Sequence, residues 1–126
     1  MKILGVIPAR YASSRFPGKP LVDISGKSMI RRVYERSVQC KSLAKVVVAT
    51  DDDRIFKHVK SFGGNVMMTS GSHLNGTERC HEVAESYDAY DVIINIQGDE
   101  PLIEPVQIDK VASLFVENES CQISTL

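Results

Sequence analysis

Apolar positions along the chain switch between two periods, and the switching predicts alternating strands and helices. Ile3 to Ile7 is wholly apolar, and Lys45 to Thr50, "KVVVAT", is rich in β-branched residues; both read as short buried strands. Between them, from Ser28 onward, Ile30, Val33, Tyr34 and Val38 recur at helical spacing while Arg31, Arg32, Glu35 and Arg36 fill the outer face. Asp52 or Asp53 can cap a second helix with Ile55, Phe56, Val59 and Phe62 as its apolar stripe, which Gly63 and Gly64 stop. A strand "NVMMT" follows, then a polar loop through Asn75, Gly76 and Thr77 into a third helix. "DVIINIQ", Asp91 to Gln97, reads as the most apolar buried strand, and Pro105 opens a fourth helix carrying Ile108, Val111, Ala112, Leu114 and Phe115. The closing "CQISTL" alternates like the start of a fifth strand.

Strand followed by helix, four times over, predicts an α/β fold with a mainly parallel sheet and helices on both faces. In such sheets ligands sit at the carboxyl ends of strands, near the point where strand order reverses. The loops after the first and fourth strands therefore carry most weight. The first, "ARYASSRFPGKPL", holds Arg10, Arg15 and Lys19; the second is "GDEP", Gly98 to Pro101. Cations facing a carboxylate across a crevice suit a metal-bound polyphosphate, because Arg and Lys neutralise phosphate oxygens while Asp holds the bridging cation. Ser13, Ser14 and Gly18 add hydroxyls and a close-approaching backbone, and Pro17 and Pro20 stiffen the loop. A merely solvated basic loop is the competing reading. Asp99 is favoured as an Mg²⁺ ligand, since a strand end holds a carboxylate rigidly; Glu100 or Glu104 could instead cap the following helix. The run "TSGSHLNGTER", Thr69 to Arg79, offers hydroxyls, amides and a helix start suited to a base edge or a ribose, or else is a solvated connector.

Composition narrows the field. The 126 residues are 43% hydrophobic and 25% charged, the size of one globular domain with a real core. Fifteen Lys and Arg against 16 Asp and Glu leave a net charge of -1, so no nucleic-acid or membrane partner is expected and any anion site must be local. Cys40, Cys80 and Cys121 have neither metal-ligand nor disulfide spacing, and a reducing cytoplasm fits them best. The apolar run in "MKILGVIPA" is too short for a signal segment or a membrane span. His73, His81 and Cys80 lack zinc-ligand spacing, and Cys80 reads as helix packing. "SGKS", Ser25 to Ser28, imitates a P-loop tail, but Leu21 stands where the earlier glycine is required. Ala9, Tyr11 and Ser14 likewise replace the glycines of a dinucleotide fingerprint.

With these residues assembled, the chain resembles the 3-deoxy-manno-octulosonate cytidylyltransferase (CMP-Kdo synthetase) family of bacterial lipopolysaccharide synthesis. The segments that carry the resemblance are "IPARYASSRFPGKPL", "VVVATDDDRI", "MTSGSHLNGTER" and "NIQGDEPLI", in the family's order over about the first hundred residues. Ser28 stands where the family usually has proline, and Asn75 where it usually has serine. The resemblance implies a Rossmann-like fold of the nucleotide-diphospho-sugar transferase type. Residues 1–126 would form the nucleotide-binding N-terminal part of a longer chain, with a second acidic metal ligand and much of the sugar-acid pocket beyond position 126. It also implies attack of the Kdo anomeric hydroxyl on the α-phosphorus of CTP, with Mg²⁺ as cofactor. Arg10, Arg15 and Lys19 would hold phosphates, Asp99 the metal, and Ser13 the triphosphate. Gln97 would touch the sugar acid, while Thr69, Ser70, Gly76, Thr77 and Arg79 would border the cytidine. The open edge of a fifth strand would favour self-association, and a homodimer is expected. Two readings compete: a sister enzyme such as a CMP-sialic acid synthetase or a uridylyltransferase, and a nucleotide-binding module without turnover.

Overall fold

The structure, a computed structural model, describes residues 2–11, 17–72, 76–98 and 104–117. Ser13, Arg15, Asp99 and Glu100, along with His73, Asn75 and the strand expected from Cys121, lie outside the described residues. Along the chain run β1 (Ile3–Ala9), a 3-10 turn (Lys19–Leu21), the short β2 (Asp23–Ile24) and β3 (Lys27–Ser28), α1 (Met29–Val38), β4 (Lys45–Thr50) and α2 (Asp53–Ser61). Then follow β5 (Val66–Met68), α3 (Gly76–Ser86), β6 (Val92–Asn95) and α4 (Pro105–Glu117).

Four strands pair in parallel in the order β5-β4-β1-β6. The chain moves outward from β1 through β4 to β5, then returns to place β6 on the other side of β1. Strand order therefore reverses between β1 and β6, the reversal point expected for the loops after the first and fourth strands. Helices cover both faces. On one, Ile3, Ile7, Val48 and Ile94 pack against Ile30 and Val33 of α1, Ile55 and Val59 of α2, and Ile108 of α4. On the other, Leu4, Val6, Val47 and Ala49 meet Cys80 and Val83 of α3.

β1 runs two residues past the expected Ile7. Ile96 N donates to Val6 O at 2.8 Å, so Val6 and, two residues on, Pro8 turn their polar groups toward β6. The β1–β6 register ends at Val6 with Asn95, so the N–H that Pro8 lacks breaks no ladder bond, while Pro8 and Ala9 still pair with Ala49 and Thr50 of β4. β6 is shorter than Asp91 to Gln97 and, among the described residues, is an edge strand with Val92 and Ile93 only partly buried. The β2–β3 hairpin occupies the P-loop-like "SGKS". Ser25 and Gly26 both take positive φ, 53° and 96°, as a two-residue hairpin turn of the mirror-image type demands. Arg32 of α1 then fastens the turn, its Nε donating to Ile24 O at 2.7 Å.

Side-chain caps set the helix starts. Ser28 Oγ accepts from Arg31 N at 3.2 Å, and Asp52 Oδ1 accepts from Arg54 N at 2.9 Å and Ile55 N at 3.2 Å. Asp109 joins α4 to the α1–β4 connection, accepting from Cys40 Sγ at 3.0 Å and from Ser42 N at 3.2 Å. Burial, reinforced by Asp109, pushes the Cys40 thiol up to about 11, and burial pushes Cys80 up to about 12. Both are neutral packing thiols. No helix among the described residues is long and apolar enough to cross a membrane.

The serine at position 28 has a second partner: its Oγ lies 2.6 Å from His58 Nε2 on α2. Ser28 Oγ keeps a second lone pair beside the one taken by Arg31 N, so which atom donates in the contact with His58 Nε2 follows the His58 tautomer. Burial, and then the Arg31 charge, hold the His58 pKa below its ordinary value. The unfolded chain therefore binds the proton more readily, so this contribution to stability is complete above about pH 6.5 and is lost as pH falls through the lower folded-state value. The unfolding midpoint should decline from pH 7 to pH 5, and His58→Gln should flatten that decline; an unchanged slope in the variant would remove His58 as the cause.

Candidate functional site

The carboxyl ends of β1, β4 and β5 open onto a cavity of about 330 Å³. Arg10 and Tyr11 border it from the end of β1, Asp51, Asp52 and Arg54 from the β4–α2 junction, and Gly71 and Arg79 from the far side. Strand ends create this mouth because each chain must turn away there into a helix, leaving polar backbone and loop side chains around a depression.

The two flanks of the basic loop are joined. Gly18 N donates to Tyr11 O at 2.7 Å, and Gly18 holds φ at 74°. A Cβ at Gly18 would sit 2.9 Å from Tyr11 Cε2 and 3.2 Å from Cζ, so only glycine combines that backbone with this ring. Arg10 and Lys19 therefore leave from backbone neighbours of a fixed pair. Arg10 is exposed and Lys19, in the 3-10 turn, is partly buried.

Arg79 reverses the usual place of a charge, being 1% exposed on α3. Its Nη1 donates to Thr69 Oγ1 and, at 3.2 Å, to Ser70 O; its Nη2 lies 3.9 Å from Asp51 Oδ2. Its Nε is buried without a partner among the described residues. Arg79, Thr69 and Ser70 are thus brought together, but the Thr69 hydroxyl is engaged within the protein. The Ser70 backbone N–H is also engaged, donating to Glu82 Oε1 at 3.0 Å. Gly76 begins α3, where a Cβ would meet Pro8 Cγ at 3.0 Å, and Thr77 is exposed in the first turn. Gln97 is exposed just past β6, and Gly98 lies so close to β1 that a Cβ would fall 3.1 Å from Pro8 O.

Tyr11, Asp51 and Arg54 were not singled out by sequence reasoning, and Asp52 was read only as a helix cap. A signal existed in the three aspartates, Asp51 to Asp53, that directly follow the buried "KVVVAT" strand. It was obscured because Asp at that position is accounted for by the helix it starts.

Comparison with known proteins places this arrangement. A family model described as cytidylyltransferase matches residues 4–126. The chain belongs to the cytidylyltransferase family. The 3-deoxy-manno-octulosonate cytidylyltransferase of Geobacter metallireducens is 52% identical over 126 residues, covering 100% of this chain and 49% of that protein. The mitochondrial 3-deoxy-manno-octulosonate cytidylyltransferase of Arabidopsis thaliana is 54% identical over 125 residues, 98% of this chain and 43% of the relative. A solved structure of a CMP:2-keto-3-deoxy-manno-octonic acid synthetase complexed with CTP superposes with a TM-score of 0.92 at 47% identity, covering 95% of this chain and 49% of that one. The chain spans about half the length of these cytidylyltransferases. Both strand-end loops, after β1 and after β6, fall within the residues the cytidylyltransferase model matches.

Proposed function

We propose that this chain binds CTP at the carboxyl ends of its strands and acts in an enzyme that joins CMP to 3-deoxy-manno-octulosonate, releasing pyrophosphate. The observation that carries the reading is 52% identity along all 126 residues to a protein named for that transfer. The anomeric hydroxyl of Kdo attacks the α-phosphorus, and the bond to the pyrophosphate oxygen breaks. Such a transfer asks for positioning and charge stabilisation more than for covalent help. Arg10 and Lys19, on the two flanks of the basic loop, neutralise the charge that builds on the departing pyrophosphate, together with Arg15, and Ser13 supports the triphosphate. Thr69, Ser70, Gly76, Thr77 and Arg79 border the cytidine, and Gln97 approaches the sugar acid.

Mg²⁺ is part of the proposal, with Asp99 as its ligand. The packing of Gly98 against Pro8 O at the β1–β6 reversal point supports this, because ligands in such sheets gather at that point. Carboxylate oxygens are the donors Mg²⁺ prefers. Asp52 is less suited, its carboxylate being shared by the α2 cap and by Arg54 Nη2 at 2.8 Å. When bound, Mg²⁺ would neutralise phosphate charge at the reacting centre. A homodimer in a reducing cytoplasm completes the reading. The free, buried Cys40 and Cys80 suit that compartment, and a monomeric mass by light scattering would remove the dimer.

Calorimetric titration with CTP, UTP, ATP and GTP in the presence of Mg²⁺ tests the nucleotide. CTP should bind at least tenfold more tightly than the others. Preference for UTP would move the chain to a uridylyltransferase reading, and no preference would remove the base-selective site.

A further inference from the structure

Arg54 occupies an unusual position for a surface cation. Its guanidinium carbon lies 3.2 Å from the centroid of the Tyr11 ring, stacked on it. The same guanidinium is held from the side by the carboxylate that caps α2: Nη2 to Asp52 Oδ2 is 2.8 Å and Nε to Asp52 Oδ1 is 3.2 Å. That carboxylate is fixed in turn by the backbone N–H groups of Arg54 and Ile55. A rigid helix start therefore orients a planar group, and the planar group sets an aromatic ring. The ring also lies against Gly18, whose N–H is bonded to Tyr11 O. Tyr11 is thus gripped by Arg54 and Gly18; Arg10 directly precedes Tyr11 in the chain, and Lys19 directly follows Gly18.

We infer that Arg54 and Asp52 are positioning residues for triphosphate binding: they act through Tyr11 to pre-order the flanks that carry Arg10 and Lys19. The inference rests on the proposal that these flanks grip phosphate. Pre-ordering lowers the conformational cost of seating a flexible polyanion, so it strengthens triphosphate binding without adding a contact. Arg54 suits this role better than that of a direct phosphate ligand because its fork is already filled by Asp52, which offsets its charge. Lysine cannot replace it, since an ammonium neither stacks flat on a ring nor pairs with a carboxylate through two parallel N–H bonds.

The test pairs hydrogen exchange at the Gly18 amide with calorimetric binding of CTP and of cytidine, in the intact chain and in Arg54→Ala, Arg54→Lys and Lys19→Ala. Arg54→Ala should weaken CTP about fivefold, the scale of an exposed cation–π contact, leave cytidine unchanged and speed Gly18 exchange by a similar factor. Arg54→Lys should behave like Arg54→Ala, and a Tyr11→Leu change should add little on top of either. Normal CTP affinity and normal Gly18 exchange in Arg54→Ala, with Lys19→Ala impaired, would overturn the positioning role and leave the phosphate proposal standing. Full rescue by Arg54→Lys would also overturn it, by showing that charge alone matters. If Lys19→Ala bound CTP as the parent does, or the parent bound CTP no better than cytidine, the phosphate proposal would fall and take this inference with it.

Discussion

Replacing Arg79 with methionine should lower the free energy of unfolding by about 3 kcal/mol, the scale of losing charge-assisted hydrogen bonds while leaving their partners buried. The side chain is 1% exposed, and it joins α3 to the end of β5 through Thr69 Oγ1 and Ser70 O. Methionine fills much of the volume but donates nothing, so the buried Thr69 hydroxyl loses its partner. The pairing with Asp51 contributes little to this total, because Asp51 is one-third exposed and 3.9 Å away. A Thr69→Val change made on top of Arg79→Met should restore about 1 kcal/mol, since it removes the orphaned hydroxyl. Chemical denaturation of the four proteins in that cycle checks both values. A loss below about 1 kcal/mol for Arg79→Met would contradict the claim that the guanidinium is held for the fold.

Asp99→Asn should reduce nucleotidyl transfer by on the order of 10²- to 10³-fold, the range seen when one preorganised electrostatic partner of a transition state is removed. Asparagine keeps the size and one oxygen but loses the charge that a hard divalent cation rewards. The loss should be greatest at limiting Mg²⁺ and should leave the unfolding midpoint near that of the parent. Near-normal turnover at limiting Mg²⁺ would remove Asp99 as the metal ligand.

The strand–helix alternation was legible because each element carries its own signal. "KVVVAT" reads as a buried strand, Asp52 or Asp53 as a helix cap, and Pro105 as a helix start; the structure has β4 and α4 in those places and settles the α2 cap on Asp52. The reversal of strand order beside β1 followed from the topology of parallel sheets. The β2–β3 hairpin was not legible, since two-residue strands have no period to detect and its Ser25–Gly26 turn was masked by an apparent phosphate motif. At the site, Arg10 and Lys19 were marked as candidates because they are cations in a strand-end loop, and of the two Arg10 borders the cavity. Arg54 and Tyr11 were missed because neither type signals chemistry alone; their stacking joins residues 43 positions apart, and only the packing of α2 beside the end of β1 brings them together. Arg79 was read as a polar group near a base, whereas burial gives it a second task that sequence, which expects arginines outside, does not reveal.

The most direct measurement of the central claim is CMP–sugar formation by the full product of the reading frame that encodes these 126 residues, with CTP, Mg²⁺ and either Kdo or sialic acid as acceptor. Pyrophosphate release should depend on Kdo, match CMP-Kdo mole for mole, and fall to background when Kdo is omitted or Mg²⁺ is chelated. Equal or faster release with sialic acid, or Kdo-independent release, would contradict the account.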